Sequence, residues 1–207
     1  RFFTFHTRKR PYIILKWAQT SDGFIDGNFS MPIRISNDIS KTCVHKLRAE
    51  EDAIMVGKNT ALKDDPKLGC RRYEGKAPLR IAIDRNLEIP TYYNFYDNAQ
   101  PTAIFNAHKD DGVRVKIDFN EDIIPQILDW LYENKIQSLI VEGGKFTLEQ
   151  FIERGLFDAI QVEIGSTPCY SGVPAPTFST ENLICEVDKF CDSTFIHYKK
   201  VNARNPF

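Results

Sequence analysis

The chain has 207 residues, of which 42% are hydrophobic and 27% charged, and its formal net charge is −1. This length allows one well-packed α/β domain but is too short for two domains of ordinary size. The balanced charge argues against a nucleic-acid binder, which needs clustered lysine and arginine. Five cysteines without zinc spacing or a secretion signal are typical of a reduced, cytoplasmic protein. No apolar run is long enough to span a membrane.

The first half of the chain alternates predicted strands and helices. The apolar run at residues 12–18 predicts a buried strand, and Ser36 and Asn37 can cap a helix that runs to about Glu50. Residues 53–56 predict a second buried strand. The apolar residues of the helix are expected to share its inward face: Ile39, Cys43, Val44 and Leu47. Loops are expected at residues 60–66, 87–100 and 165–180.

The second half predicts more strands and a final hairpin. Strands are expected at residues 79–83, 102–105, 113–117, 138–141 and 159–164. Helices are expected at 121–134 and 147–154, and Gly155 ends the second. The apolar residues of the first are expected to face inward: Ile124, Ile127, Leu128 and Leu131. Alternating apolar and polar residues predict an antiparallel pair at 183–190 and 194–201. This order predicts an α/β fold with a mixed, mostly parallel sheet flanked by helices and a C-terminal antiparallel hairpin.

A double-glycine turn, Gly143-Gly144, follows the predicted strand at 138–141. Without a Cβ, the main chain can approach a ligand closely. The helix that follows offers free N–H groups and a positive dipole end, which favour an anion such as a phosphate. A tight strand-to-helix turn would use the same glycines without any ligand, and the pattern is not GxGxxG.

Glu142 and Lys16 are charged residues attached to apolar strands. Glu142 ends a strand, where open α/β sheets bind ligands, and its carboxylate can accept hydrogen bonds from a pyrimidine or pterin ring. The alternative is that Glu142 caps the amides of its own turn. Lys16 lies inside an apolar run. It either extends from a sheet edge into water or projects into a site, and we favour the site.

Arg48, Arg71 and Asp64 are the remaining charged candidates. Arg48 lies in the last turn of its predicted helix, where it either compensates the helix dipole or binds a phosphate. Arg71 can join it if the two segments converge. Asp64 and Asp65 precede a proline, as turn formers often do, and lack a third ligand for a metal. Without triad order or metal spacing, the four histidines are expected at the surface: His6, His45, His108 and His197.

Several motifs in sequence order resemble the reductase domain of the bifunctional riboflavin biosynthesis proteins (RibD), which has a dihydrofolate-reductase-like fold. The similar stretches are residues 10–18, 22–23, 47–49, 52–57, 60–68, 71, 78–84 and 141–144. The resemblance places a reductase domain at residues 10–207 after a linker-like segment at 1–9. It also implies a homodimer. The zinc signature of the family's deaminase domain is missing from this sequence, so that domain is expected elsewhere in the full-length protein.

The resemblance implies NADPH-dependent reduction of 5-amino-6-(5-phosphoribosylamino)uracil to 5-amino-6-(5-phosphoribitylamino)uracil. Lys16 and Asp64 would assist the reaction, Lys16 beside the ribose phosphate. By match, the substrate would contact Arg48, Leu68, Arg71 and Glu142. NADPH would contact Ala18, Gly57, Thr60, Asp64, Gly143, Gly144, Lys145, Phe146, Thr147 and Leu148. Arg34 ends Pro32-Ile33-Arg34, where the family commonly has Ser-x-Trp, and would cover the nicotinamide or a phosphate.

Three alternatives are compatible with the same motifs. A dihydrofolate-type reductase would turn over dihydrofolate and leave the ribosylaminopyrimidine unchanged. A non-catalytic nucleotide-binding domain would bind NADPH without oxidising it when substrate is supplied. A purely structural domain would gain no thermal protection from NADPH. Nucleic acid and membrane are not expected as partners.

Overall fold

The computed structural model describes residues 1–27 and 33–201 as an α/β fold. The strands are β1 Tyr12–Gln19, β2 Phe24–Gly27, β3 Ala53–Gly57, β4 Leu79–Ile83, β5 Thr102–Asn106, β6 Arg114–Lys116, β7 Ser138–Glu142, β8 Ala159–Ile164, β9 Gly172–Pro174, β10 Leu183–Phe190 and β11 Ser193–Lys200. The helices are α1 Phe2–Arg8, α2 Asp38–Glu50, α3 Lys58–Asp64, α4 Ile123–Glu133 and α5 Lys145–Glu153. A short 3₁₀ helix lies at Asn94–Tyr96.

The main sheet has nine strands in the order β10-β11-β8-β1-β7-β3-β4-β5-β6. The strands from β8 to β6 are parallel, whereas β11 runs antiparallel to β8 and pairs with β10 in the C-terminal hairpin. A separate two-stranded sheet pairs β2 with β9. The predicted fold, mixed but mostly parallel with a terminal hairpin, is confirmed.

Hydrophobic cores cover both faces of the parallel strands, which explains their continuous apolar runs. On one face, Ile13 and Leu15 of β1 belong to the same core as Leu148 of α5. On the other face, Ile54 of β3 packs in a core with Ala61 of α3. All four residues predicted to face inward from α4 are buried: Ile124, Ile127, Leu128 and Leu131.

The buried face of helix α2 differs from its prediction at Ile39 and His45. Asn37 caps it as expected, accepting a hydrogen bond from the Ser40 amide at 2.8 Å. The predicted inward residue Ile39 is 46% exposed, whereas Ser40 and His45 are the buried residues of this helix. The prediction of its inward face was therefore wrong for Ile39. The loop 69–75 packs against the helix and contacts its polar side at His45.

Four short elements were absent from the prediction. The predicted loop at 60–66 is largely α3, and β2 and β9 are strands of four and three residues. Such lengths are too short to show a helical or alternating period. The predicted linker-like segment contains α1, whose Phe5 is buried and packs against Tyr132 with ring centroids 4.7 Å apart.

Candidate active site

Several of the predicted site residues lie at one edge of the main sheet, at the carboxyl ends of its central strands. β1, β7 and β3 are parallel neighbours, so their carboxyl ends lie side by side. Lys16 of β1 is directly opposite Glu142, the last residue of β7, and Gly57 ends β3. Helices α3 and α5 begin immediately after β3 and the β7 turn. This edge is where open α/β sheets bind ligands.

Three charged side chains, which we call the Glu142 cluster, form the centre of this edge. Lys16 Nζ donates a hydrogen bond to Glu142 Oε1 at 2.9 Å. Arg48, at the end of α2, donates to Glu142 Oε2 from Nη2 at 2.6 Å and from Nε at 3.2 Å. The side chains of Lys16, Arg48 and Glu142 are only 9%, 13% and 15% exposed. The Glu142 cluster is thus a mostly buried ion triad.

The charge balance of the Glu142 cluster favours an anionic ligand. Burial alone would raise the pKa of Glu142, but the Arg48 and Lys16 cations outweigh burial and lower it to about 2. Glu142 is therefore ionised at neutral pH. Two cations against one carboxylate leave one surplus positive charge at the edge of the sheet.

Within residues 1–27 and 33–201, the hydrogen bonds to the Glu142 carboxylate come from Lys16 and Arg48. Capping of its own turn, the alternative considered for Glu142, is thus not its observed role. Each carboxylate oxygen has two lone pairs, so Oε1 can accept another bond. The prediction that Glu142 binds a pyrimidine edge is compatible with this geometry and stays a prediction.

The glycine turn packs against the segment after β3. Gly143 and Gly144 have φ angles of +86° and +75°, which glycine adopts without strain. A Cβ at Gly144 would lie 3.2 Å from Thr60 Oγ1, and one at Gly57 would lie 2.5 Å from Thr147 Oγ1. The absence of side chains at these glycines therefore allows both threonines to approach. The two motifs, distant in sequence, form one continuous surface.

The start of α5 is open to a ligand at its main chain. Gly144 is the N-cap residue, and in the described part of the chain no side chain caps this helix end. Phe146, in its first turn, is 75% exposed. Leu148 differs, because its side chain is fully buried and its amide donates to the Gly144 carbonyl at 3.1 Å. The predicted contact of Leu148 with the cofactor stays a prediction.

Leu68 and Arg71 lie on the segment between α3 and β4. Leu68 has φ +53° and is only 3% exposed, and its predicted contact with the substrate stays a prediction. Arg71 is exposed. Burial has the largest effect on the pKa of His45 and lowers it, and the positive charges of Arg48 and Arg71 lower it further. The two arginines therefore approach the same histidine from separate segments.

Asp64 ends α3 and is exposed. Partial desolvation raises the pKa of its carboxyl, and the negative charge of Asp26 raises it further, whereas Lys63 opposes both. The neighbouring Asp65 has a turn role, since its Oδ1 accepts the Asn94 amide at 2.8 Å. Arg34 is exposed and Ala18 half-buried, while Pro32 lies outside the described residues.

A cavity of about 230 Å³ lies on the β8 side of Lys16. It is lined by residues of α2, β8 and β11 that include Val44, Leu47, Gln161, Glu163 and His197. Glu163 is 1% exposed and accepts hydrogen bonds from Ser36 at 2.7 Å and Ser193 at 3.3 Å. Glu163 was not predicted as a site residue, although, like Lys16, it is a charged residue within an apolar strand.

His45 corrects the prediction that all four histidines are exposed. His45 is only 4% exposed, and its Nδ1 accepts a hydrogen bond from the Arg72 amide at 3.1 Å.

Among the described residues, no group of three or more His, Cys, Asp or Glu side chains is arranged to hold a metal ion. In the same ranges, no helix has both the length and the apolar character to cross a bilayer.

Comparison with known proteins identifies relatives along most of the chain. The sequence is 39% identical over 175 residues to riboflavin biosynthesis protein RibD of Aquifex aeolicus, covering 79% of this chain and 48% of the relative. It is 31% identical over 166 residues to a 2,5-diamino-6-ribosylamino-4(3H)-pyrimidinone 5′-phosphate reductase of Methanothermobacter thermautotrophicus, covering 74% of this chain and 76% of the relative. This chain thus spans about half the length of the RibD relatives it matches.

Solved structures share the fold. The structure of a diaminohydroxyphosphoribosylaminopyrimidine deaminase/5-amino-6-(5-phosphoribosylamino)uracil reductase of Thermotoga maritima superposes with a TM-score of 0.84 and 24% sequence identity. The match covers 97% of this chain and 59% of that chain. The sequence model described as RibD C-terminal domain matches residues 11–177. The chain belongs to the RibD C-terminal domain family.

Proposed function

We propose that this chain reduces 5-amino-6-(5-phosphoribosylamino)uracil to its ribitylamino form with NADPH. The observation that carries the proposal is the Glu142 cluster, placed at the carboxyl edge of the sheet beside the uncapped start of α5. The Glu142 cluster suits a small anion and a polar ring, and the start of α5 suits a dinucleotide. Relatives named as RibD and as a pyrimidinone 5′-phosphate reductase support the reaction class.

The substrate phosphate is proposed to bind the surplus charge of the Glu142 cluster. Lys16 has three N–H donors, of which Glu142 takes one. Arg48 keeps its Nη1 group, which at present donates weakly to the Gly69 carbonyl at 3.3 Å. Arg71 is exposed nearby and adds a third cation. Charge-assisted bonds to phosphate are among the strongest polar contacts in proteins, and guanidinium groups suit them by their planar geometry.

The cofactor phosphates are proposed to bind at the glycine turn. Gly143 and Gly144 have positive φ angles and no side chains, so a ligand can approach their main chain. The first N–H groups of α5 have no acceptor within the helix and can donate to an anion. Thr60 lies against the turn and can add a hydroxyl. Phe146 offers an exposed aromatic ring at the same end. These groups fit the dinucleotide contacts that the family resemblance implies.

In the proposed reaction NADPH supplies a hydride, and the chain's side chains hold the substrate and manage a proton. Lys16, Arg48 and Arg71 hold the phosphate so that the opened ribose presents C1′ to the incoming hydride. A C1′–H bond forms, the C1′=N double bond becomes single, and the nitrogen takes up one proton. Asp64 has a carboxyl pKa raised by partial desolvation, which suits it to relay that proton or orient the ribose hydroxyls.

The relatives also support a proposal for the whole protein. Because the RibD relatives are about twice as long as this chain, we propose a fused zinc deaminase domain in the full-length protein. Residues 10–207 would be the reductase domain and 1–9 its connecting segment. The five cysteines are free, which fits a reducing cytoplasm. A homodimer is proposed from the family resemblance and the frequency of twofold oligomers.

A spectrophotometric assay of NADPH oxidation tests the proposal. Three compounds are compared: 5-amino-6-(5-phosphoribosylamino)uracil, its 2,5-diamino-pyrimidinone counterpart, and dihydrofolate. We expect oxidation with the uracil compound and little with dihydrofolate. Preference for the diamino compound would keep the reaction class but change the substrate to that of the archaeal relative. Oxidation with dihydrofolate alone would indicate a folate reductase, and NADPH binding without oxidation would indicate a non-catalytic domain.

A further inference from the structure

His45 connects α2 to the loop that carries Arg71. Its Nδ1 accepts a hydrogen bond from the main-chain amide of Arg72 at 3.1 Å, and the residue is 4% exposed. A nitrogen that accepts a hydrogen bond carries no proton, so this contact requires the neutral imidazole with its proton on Nε2. The neutral form of His45 is therefore part of the observed structure.

The loop 69–75 is held against α2 at several points around this hydrogen bond. Arg48 Nη1 donates to the Gly69 carbonyl at 3.3 Å, and Arg72 Nη1 pairs with Asp38 at 3.2 Å. A Cβ at Gly75 would lie 2.7 Å from the Ala49 Cβ, which shows how closely the loop approaches the helix. The Asp38 side chain is 70% exposed, so its ion pair is weak. The partly buried hydrogen bond from the Arg72 amide to His45 is better shielded from water.

We propose that neutral His45 is a positioning residue, which fixes the loop 69–75 so that Arg71 and Arg48 present their guanidinium groups to the substrate phosphate. This inference rests on the proposed function, because it assigns the phosphate to Arg48 and Arg71. His45 itself does not touch the substrate in this account. It acts through the Arg72 amide, one residue after Arg71.

The charges that face His45 make its protonation unfavourable. Burial lowers the pKa of His45 most, and Arg48 of α2 together with Arg71 and Arg72 of the loop lowers it further. The Cys70 carbonyl opposes them by accepting from the ring. Protonation would place a proton on Nδ1, remove the acceptor for the Arg72 amide and add a fourth cation. The loop would then lose this anchor as the pH falls through the lowered pKa of His45, which lies below the ordinary value of 6.5.

Two variants separate the hydrogen bond from the ring's shape. His45→Phe keeps a planar ring but has no acceptor, whereas His45→Asn places Oδ1 close to the position of Nδ1 and does not titrate. His108→Asn is the control, since His108 is exposed. For His45→Phe we expect KM for the phosphorylated substrate to rise about tenfold, as for a lost buried hydrogen bond. kcat and the KM for NADPH should change by less than about twofold, and His45→Asn should restore KM.

The pH profile gives a readout that a merely structural role would not change. The substrate phosphate itself titrates at a pH of about 6, so the ratio of KM between wild type and His45→Asn is compared rather than KM alone. We expect this ratio to rise as the pH falls through the lowered pKa of His45, below 6.5, and the ratio between His108→Asn and wild type to stay constant. A constant ratio for His45→Asn, or an unchanged KM in His45→Phe, would overturn the proposal.

Hydrogen exchange at the Arg72 amide tests the same contact without enzyme activity. At one pH, exchange should be faster in His45→Phe than in His45→Asn and wild type, while amides of β1 stay protected. Equal exchange in all three proteins would refute the positioning role. If wild type fails to oxidise NADPH, the proposed function fails, and this exchange measurement still decides whether His45 holds the loop.

Discussion

Two ion clusters lie at opposite ends of β1, and each combines one mostly buried carboxylate with two cations. At the start of the strand, Asp158 pairs with two arginines of the N-terminal segment. Near its end, Glu142 pairs with Lys16 and Arg48. The two clusters have the same net charge, yet they differ in whether a main-chain amide also donates to the carboxylate.

The Asp158 cluster is bound to the main chain. Asp158 accepts the Ile13 amide at 2.9 Å in addition to Arg10 at 2.6 and 3.1 Å and Arg8 at 3.1 Å. Arg10 Nη1 also donates to the Pro11 carbonyl at 2.7 Å. These contacts fix the first residues of β1 and connect α1 to the sheet. A cluster of this kind stabilises the fold.

Within the described ranges, the Glu142 carboxylate accepts hydrogen bonds from side chains alone. Its cations keep donors for a ligand, apart from the weak bond of Arg48 Nη1 to the Gly69 carbonyl. It also lies at the carboxyl ends of parallel strands beside a glycine turn, where α/β sheets bind ligands. The comparison teaches that a buried ion pair does not by itself mark a site. Position in the sheet and unused donors distinguish the ligand-binding cluster from the structural one.

Asp158→Ala should produce the largest change, and in stability alone. Removal of the carboxylate leaves Arg10 buried without its partner, which typically costs about 3–5 kcal/mol. We expect the free energy of unfolding, measured with urea, to fall by this amount. The kcat/KM of the folded fraction should stay within about twofold of wild type. A large loss of kcat/KM with unchanged stability would reverse the assigned roles of the two clusters.

Arg48→Ala should act mainly on substrate binding. A charge-assisted contact to phosphate of about 3 kcal/mol corresponds to about a hundredfold loss of kcat/KM. The KM for NADPH should remain near normal, because the glycine turn is untouched. The control is Arg154→Ala, which removes an exposed arginine paired with Asp122 at 3.0 Å. Unchanged kinetics with the phosphorylated substrate would remove Arg48 from the site.

Glu142→Gln should reveal the linkage between the Glu142 cluster and pH. The carboxyl pKa is about 2 in the fold against 4.5 ordinarily, so its stabilisation is complete above 4.5 and lost as the pH falls through about 2. At neutral pH we expect the variant to be less stable by on the order of 2 kcal/mol, allowing for partial screening by water. Denaturant titrations should show this difference shrinking toward pH 2. A pH-independent difference would contradict the assigned charge.

Gly143→Ala and Gly112→Ala form a matched pair with the smallest expected effects. Both glycines have φ +86°, so each alanine should cost about 1 kcal/mol of stability. A Cβ at Gly143 would lie 3.3 Å from Thr60 Cγ2, whereas one at Gly112 would meet no atom within 4 Å. Only Gly143→Ala should raise the KM for NADPH, by severalfold. An equal KM for NADPH in both variants would exclude the glycine turn from cofactor binding.

The parallel strands were predictable because burial on both faces leaves unbroken apolar runs, as in β1 and β7. α4 was predictable because its apolar residues repeat with the helical period. α3, with seven residues and few apolar ones, gives no such period. The burial of His45 on α2 was not predictable either, since the loop 69–75 that contacts it comes from a distant part of the sequence.

The candidate site was predictable residue by residue, but its connections were not. Lys16 and Glu142 each break an apolar run, and that signal is visible in the sequence. Their ion pair depends on the register that places them opposite each other in adjacent parallel strands. The Arg48 contact depends on the length and direction of α2. Sequence therefore identifies candidates, and the sheet topology decides which of them meet.

The most direct measurement is a comparison of kcat/KM for wild type and Arg48→Ala with the phosphorylated substrate and its dephosphorylated counterpart. If the Glu142 cluster binds the phosphate, wild type should lose about a hundredfold on removal of the phosphate. Arg48→Ala should lose far less, because its main phosphate contact is already gone. Equal losses in wild type and Arg48→Ala would contradict the account, since the arginine and the phosphate would then act independently.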